Sequence, residues 1–332
     1  MSGARTDFAV IGGGRWAVAL AHVAARGGQS VRLYVADSRR RGHLQRKRQH
    51  KSLVPELERL HEGVRLDEDL SETMAASHTV LLACAAGEVR AMTAAIGPHV
   101  DGAHVVLHAV RGLEPETLRR ASRVIREECC ARKVGALLGP AVVSELVAGR
   151  PNAFVCASRF PEVVQRARDA FVSPSVRVYH SSDLRGVEVS AAAASVGALG
   201  IGFIMEQQMG PATLAMMVSR GVAEMSRVVE AAGGKSSSAM GLAGLGELMA
   251  HREIDSREVR GGRMLARGKN AAQIERELGA LDALGTARAF QSLASRLHVP
   301  AHIASVVADL VDGLSGVDEA LTTLMSLAQM EE

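Results

Sequence analysis

Phe8-Ala9-Val10-Ile11-Gly12-Gly13-Gly14-Arg15-Trp16-Ala17 is a short apolar run, a glycine turn and the start of an amphipathic stretch. From Trp16 onward, Leu20, Val23 and Ala24 recur on one face of a helix. Strand, glycine turn and helix in this order, with the spacing Gly12-x-Gly14-x-x-Ala17, form the G-x-G-x-x-A variant of the dinucleotide fingerprint. Each position has its own reason. Gly12 permits the tight turn, Gly14 carries no side chain to block a pyrophosphate, and Ala17 is small enough for the helix to pack on the strand. The helix N-terminus, at Arg15 and Trp16, then offers free N–H groups and a positive dipole end to phosphate.

Outward from this unit the alternation continues. Val31-Arg32-Leu33-Tyr34-Val35 is a second strand, and Asp37 follows where an acid would hold the ribose hydroxyls of NAD. Arg39, Arg40 and Arg41 offer an alternative, the extra phosphate of NADP, and the basic run through Arg46, Lys47, Arg48 and Lys51 also reads as a solvated helix face. Further strands are expected at 79–84, 104–110, 134–138, 153–156 and 176–179, with helices at 88–96, 115–129 and 142–148. Strands separated by helices imply a mostly parallel sheet with ligands beyond the strands' C-terminal ends, where Arg111 and Gly139 fall. After about Leu184 the strand signals stop. The expectation is therefore an α/β chain: a Rossmann-like N-terminal domain over 1–184, then an all-α domain over 185–332. The second domain is centred on Val187–Gly221, where Glu188, Glu206 and Arg220 are the only charges.

Composition narrows the function. The 332 residues are 47% hydrophobic and 23% charged, enough for two aliphatic cores, and aromatics make up only 3%. A net charge of +3 is too small to point to nucleic acid as the main partner. Cys84, Cys129, Cys130 and Cys156 show neither disulfide nor zinc spacing, so reduced thiols and a cytoplasmic location are expected. The first residues lack the apolar core of a signal peptide. Val189–Met205 is about as long as a membrane span, but its Ala, Ser and Gly content and lack of flanking anchors read as a buried core helix, with no membrane span. Gly234-Lys235-Ser236 lacks the glycine five residues earlier that a phosphate loop needs. No spacing suggests a metal site or a serine nucleophile.

Five strings in order are more specific: Gly12-Gly13-Gly14-Arg15-Trp16-Ala17, Val110-Arg111-Gly112-Leu113-Glu114, Gly139-Pro140-Ala141-Val142-Val143-Ser144-Glu145-Leu146, Ser219-Arg220-Gly221-Val222-Ala223-Glu224-Met225 and Leu242-Ala243-Gly244-Leu245-Gly246-Glu247-Leu248. Over nearly the whole chain this pattern resembles the bacterial soluble NAD(P)-dependent glycerol-3-phosphate dehydrogenases. The resemblance implies NAD or NADP as cofactor and reduction of dihydroxyacetone phosphate to sn-glycerol 3-phosphate for phospholipid synthesis. It also implies a small phosphorylated substrate and a homodimer.

The resemblance also assigns positions. Cofactor contacts are implied at Gly12, Gly14, Arg15, Trp16, Ala17, Asp37, Arg111, Val143, Arg257 and Asp282, and substrate contacts at Arg111, Gly139, Ala141, Glu247, Ser256, Arg257 and Glu258. The family's catalytic lysine, in a Lys-Asn pair, falls on Ala194-Ser195. Its second lysine is Arg111, the acid of its Gly-Leu-Gly-Asp turn is Glu247, and its Ser-Arg-Asn triplet is Ser256-Arg257-Glu258. Ala194 supplies neither charge nor proton, and loss of a general acid typically costs about 100- to 10,000-fold. Arg111 keeps a charge but does not give up a proton. His251, where the family has a threonine, is the best substitute acid. Two alternatives follow from the lost lysine: a catalytically impaired dinucleotide-binding protein, or a reductase of another acidic substrate.

Overall fold

The computed structural model of the chain describes residues 8–253 and 256–326. Two compact units emerge. One runs to Val110 and resumes over Ala121–Leu184; the other takes Arg111–Arg120 and the chain from Arg185 onward. A single cut at residue 184 therefore leaves out one excursion, the ten-residue segment that carries Arg111.

In the first unit, strands and helices alternate: β1 (Phe8–Ile11), α1 (Arg15–Arg26), β2 (Val31–Tyr34), α2 (Ser38–Lys47), β3 (Val64–Asp67), α3 (Leu70–Ala75), β4 (Thr79–Leu82), α4 (Val89–Ile96), β5 (Val105–His108), α5 (Ala121–Glu128), β6 (Lys133–Leu138), α6 (Val143–Ala148), β7 (Asn152–Ala157), α7 (Pro161–Phe171) and β8 (Val176–Ser181). The sheet order is β3-β2-β1-β4-β5-β6-β7-β8, with every pair parallel except β6 and β7. The chain crosses from one side of β1 to the other, so the turn after β1 opens at the switch point where α/β sheets bind ligands. Strand residues point alternately to the two faces. Phe8 and Val10 join a core with α1, α6 and α7, while Ala9 and Ile11 join a second core with α3, α4 and α5.

His22, on the buried face of α1, accepts a hydrogen bond at Nδ1 from the His61 N–H at 3.2 Å. Burial lowers this imidazole from 6.5 to about 4, with the Arg26 charge and His61 acting in the same direction. The unfolded chain takes up the proton near pH 6.5 and the folded chain only near pH 4. Stability from this group is thus complete above about pH 6.5 and falls as the pH drops through that window, by about 3 kcal/mol at pH 4. Urea midpoints at pH 7 and pH 4.5 should therefore differ less in His22→Gln than in the parent; an equal drop in both would show that other groups govern acid sensitivity.

The second unit is helical: α8 (Leu184–Glu206), α9 (Gly210–Ala231), α10 (Ser236–Ala239), α11 (Glu247–Glu253), α12 (Arg257–Ala266), α13 (Ala271–Leu278), α14 (Asp282–Arg296), α15 (His302–Asp312) and α16 (Val317–Ser326). The low-charge stretch Val187–Gly221 is not one helix, because the chain turns over Gln207–Met209 and restarts at Gly210. α8 has a mean hydropathy of 1.7 over its most apolar window, and 89% of that window is buried inside the protein, so its apolar surface is spent on its own neighbours. Glycines set how closely those neighbours approach. A Cβ on Gly202 would lie 2.0 Å from the Val259 carbonyl oxygen, and one on Gly262 would lie 1.9 Å from that of Leu199. α8 and α12 therefore meet backbone to backbone. Glu224 of α9 holds the start of α15, accepting from the Ile303 and Ala304 N–H groups at 3.0 Å each.

Two sequence expectations need correction. The helix expected over 115–129 begins only at Ala121; Leu113 bridges to Arg120 in a tight antiparallel turn, with Leu118 at φ 59° and the Glu114 N–H on the Arg119 carbonyl at 2.8 Å. β3 and helices α3 and α7 were not among the expected elements, while α2 takes up the basic run read as a solvated helix face.

Candidate active site

The turn after β1 is built as its glycines suggest. Gly12 sits at φ +147°, and a Cβ there would lie 2.2 Å from the Ala83 carbonyl oxygen, so the turn is pressed against the end of β4. At Gly14 a Cβ would meet nothing within 4 Å. Gly14 is also the N-cap of α1 and makes no side-chain cap, which leaves the first N–H groups of α1, at Arg15 and Trp16, facing the open side. Arg15 is held by Glu56 at 2.6 Å, the Trp16 ring leans on Phe154, and Ala17 is fully buried beneath the turn. A close-fitting turn with one open glycine is the cradle a pyrophosphate requires, so these residues fit a dinucleotide.

Asp37 lies beyond β2 as the N-cap of α2, accepting from the Arg40 N–H at 2.9 Å. That hydrogen bond is the main cause holding its exposed carboxyl below the usual aspartate range. Arg40 reaches back to the Gly13 carbonyl at 2.8 Å and Arg41 to the Val35 carbonyl at 2.8 Å, while Arg39 is exposed. Sequence reasoning saw these arginines as one basic run; the fold sends each to a different place, and only Arg40 touches the glycine turn. After β6, Gly139 adopts φ +119° and its carbonyl accepts from the Ala141 N–H at 2.7 Å, which leads the chain into α6 at Val143.

The helical unit gathers a second set. Arg111 opens the Leu113–Arg120 turn, which is anchored twice on α8: Ser195 Oγ donates to the Arg111 carbonyl at 3.2 Å, and Arg120 pairs with the buried Glu188. Leu113, 1% exposed, plugs the turn into the helical core. Arg111 Nη1 lies 2.8 Å from Glu247 Oε1. Glu247 is delivered by a five-residue π-helical turn, Leu242–Gly246, in which a Cβ on Gly244 would strike the Ala239 carbonyl at 2.1 Å. One turn on, His251 Nε2 lies 3.3 Å from the same Glu247 Oε1, and His251 Nδ1 shares a hydrogen bond of 2.8 Å with Ser256 Oγ. Ser256 is the N-cap of α12 and also accepts from the Val259 N–H at 3.2 Å. Burial pushes the Glu258 carboxyl up, but the neighbouring His251, Arg111 and Arg257 charges outweigh it and hold it below the usual glutamate range. Arg257 spends Nη2 on the Leu278 and Ala280 carbonyls at 2.6 and 2.7 Å, and Asp282 stands exposed at the start of α14 just beyond them. Ala194 is fully buried on α8, beside Ser195.

Both halves of the chain match one family. The description "NAD-dependent glycerol-3-phosphate dehydrogenase N-terminus" matches residues 7–164, and its C-terminal counterpart matches residues 183–322. A glycerol-3-phosphate dehydrogenase [NAD(P)+] from Rhodopseudomonas palustris is 33% identical over 321 residues, 96% of each chain. The chain belongs to the NAD-dependent glycerol-3-phosphate dehydrogenase family. A second relative of the same name, from Brucella ovis, is 30% identical over 97% of each chain. The crystal structure of a glycerol-3-phosphate dehydrogenase from Coxiella burnetii, 23% identical, shares the fold with a TM-score of 0.92 over 98% of this chain and 99% of that one.

Two arginines, Arg111 and Arg257, face two carboxylates, Glu247 and Glu258, and no lysine stands on α8 at position 194. The Glu247–His251–Ser256 chain was only partly legible beforehand. His251 and Glu247 at i, i+4 spacing was a signal that both side chains share one helix face; that Ser256 closes on the same ring was not.

Proposed function

We propose that the protein is an NAD(P)-dependent glycerol-3-phosphate dehydrogenase, interconverting dihydroxyacetone phosphate and sn-glycerol 3-phosphate. The observation that carries this reading is the relative of that name at 33% identity over 96% of both chains. The open Gly14 and the uncapped start of α1 support it on physical grounds. When bound, NAD or NADP supplies the hydride acceptor or donor through its nicotinamide ring. Gly12, Gly14, Arg15, Trp16 and Ala17 would hold the pyrophosphate on α1, with Asp37 and Arg40 near the adenosine ribose. Gly139, Ala141 and Val143 remain the proposed contacts after β6. Arg111 stabilises negative charge on the substrate, either its phosphate or the oxygen that becomes an alkoxide. Arg257, with Nη2 on two carbonyls, positions the start of α12 and adds a positive charge there for a phosphate. Ser256, Glu258 and Asp282 complete the proposed set. The four free thiols agree with a reducing, cytoplasmic setting, and the family resemblance with a homodimer that supplies glycerophospholipid synthesis.

The test is NADH or NADPH oxidation driven by dihydroxyacetone phosphate, with Gly14→Val as the paired variant. The new side chain has free space in the protein, so stability should change by no more than about 1 kcal/mol, the scale of an N-cap substitution. It would exclude the pyrophosphate from the N–H groups of α1. Cofactor affinity should fall about 100-fold, the scale of one or two charge-assisted hydrogen bonds of about 1.5–3 kcal/mol. Absence of turnover with dihydroxyacetone phosphate in the parent, or unchanged cofactor affinity in Gly14→Val, would refute the reading.

A further inference from the structure

The family's proton donor has no counterpart at Ala194, and Arg111 does not release a proton. Yet a carboxylate beside it is unevenly used. Glu247 is 2% exposed, and its Oε1 lies 2.8 Å from Arg111 Nη1 and 3.3 Å from His251 Nε2. Its Oε2 is buried and has no hydrogen-bond partner among the described residues. An unpartnered buried acceptor costs about 1–3 kcal/mol or more for a charged group, so this carboxylate oxygen is a candidate acceptor for a ligand's donor. A substrate hydroxyl placed on Oε2 is the donor it lacks.

The rest of the chain explains how such a carboxylate would be recharged. Ser256 Oγ already accepts from the Val259 N–H, so its own proton is free to go to His251 Nδ1. Neutral His251 then carries its proton on Nε2, aimed at Glu247. Half-buried Ser256 connects the imidazole to the outside. Among the described side chains, the charged groups at this cluster are Glu247 on the helix of His251, Arg257 and Glu258 on α12, and Arg111 at the start of the Leu113–Arg120 turn.

We propose that Glu247 exchanges the proton with the substrate's C2 oxygen, and that His251, positioned by Ser256, refills Glu247 in place of the lysine absent at 194. This rests on the dehydrogenase reading above. In the oxidation direction the O–H bond of glycerol 3-phosphate breaks, its electron pair forms the C2=O bond as the C2 hydride leaves for the cofactor, and the proton lands on Glu247; it passes to Nε2 of the other His251 tautomer, which holds its proton on Nδ1 and releases that proton through Ser256 to solvent. In reduction a proton returns to the C2 oxygen by the reverse path. Glu247 is the catalytic residue; His251 and Ser256 are positioning residues that act through it.

The experiment combines kinetics with calorimetry. Glu247→Gln should lower turnover at least about 100-fold with NADPH affinity held within about twofold, and Glu247→Asp, which keeps the charge one methylene back, should recover part of the loss. His251→Gln should lower the reduction rate about tenfold and abolish its decline with rising pH; Ser256→Ala should shift that decline without removing it. Glycerol 3-phosphate binding, measured in two buffers of different ionisation enthalpy with and without NAD, should show a net proton exchange that disappears in His251→Gln. Near-parental turnover in Glu247→Gln, or an unchanged pH dependence in His251→Gln, would overturn the proposal. Should the parent protein bind cofactor but fail to turn over, the dehydrogenase reading fails, and the calorimetry alone decides the relay: proton exchange lost in His251→Gln upholds it, and no exchange overturns it.

Discussion

Gly262→Ala is expected to abolish the native helical unit or to destabilise it by about 3 kcal/mol or more. The new Cβ would lie 1.9 Å from the Leu199 carbonyl oxygen and 3.0 Å from the Gly202 Cα, both backbone atoms of α8. No rotamer change relieves a clash with backbone, so α12 must move away from α8. That movement would carry Ser256, Arg257 and Glu258 with it, since all three sit at the start of α12. Two neighbouring glycines give the scale. Gly261→Ala meets the flexible end of Leu281 at 2.8 Å and should cost about 1 kcal/mol. Gly285→Ala in α14 meets nothing within 4 Å and should stabilise by about 0.5–1 kcal/mol through helix propensity. Urea unfolding of the three variants tests the order. If Gly262→Ala were as stable as Gly285→Ala, the two helices would not be in backbone contact.

The second large effect is expected at Arg111. Arg111→Gln removes the cation 2.8 Å from Glu247 and leaves a carboxylate that is 2% exposed facing only His251. Breaking a fully buried pair costs about 3–5 kcal/mol; Arg111 is 21% exposed at its side chain, so about 2–3 kcal/mol is expected here. Activity should fall further, on the order of 100- to 1,000-fold in kcat/KM, if Arg111 is the cation for a substrate oxyanion or phosphate as proposed above. Arg111→Lys should restore most of the stability, since the charge returns, but only part of kcat/KM, since the planar fork does not. Equal recovery of both would mean that Arg111 acts as a point charge alone.

The Rossmann half was largely legible because its signals are local. An apolar run closed by glycines has few other uses, and Gly12 and Ala17 each answer to a contact within a few residues or one strand away. Short elements such as β3 and α3 escaped because four to six residues carry too little periodicity to stand out. The segment 115–120 misled for a different reason. Pro115 and the following charged residues suit a helix start, but Leu113 in the helical core and Arg120 on Glu188 hold both ends, and a tight turn satisfies both anchors where a helix would not.

By itself, then, the order of residues determined the dinucleotide turn, the mostly parallel sheet and the change to helices near residue 184. These are properties of spacing and side-chain type, and no distant residue alters them. Only the tertiary structure decided that Arg111 joins the helical unit, that Arg40 reaches the glycine turn, and that Glu247, His251 and Ser256 line up through a 3.3 Å contact and a 2.8 Å hydrogen bond, with one carboxylate oxygen unpartnered among the described residues. Those facts depend on directions of long side chains and on how closely α8 and α12 approach through Gly202 and Gly262, which no local pattern encodes.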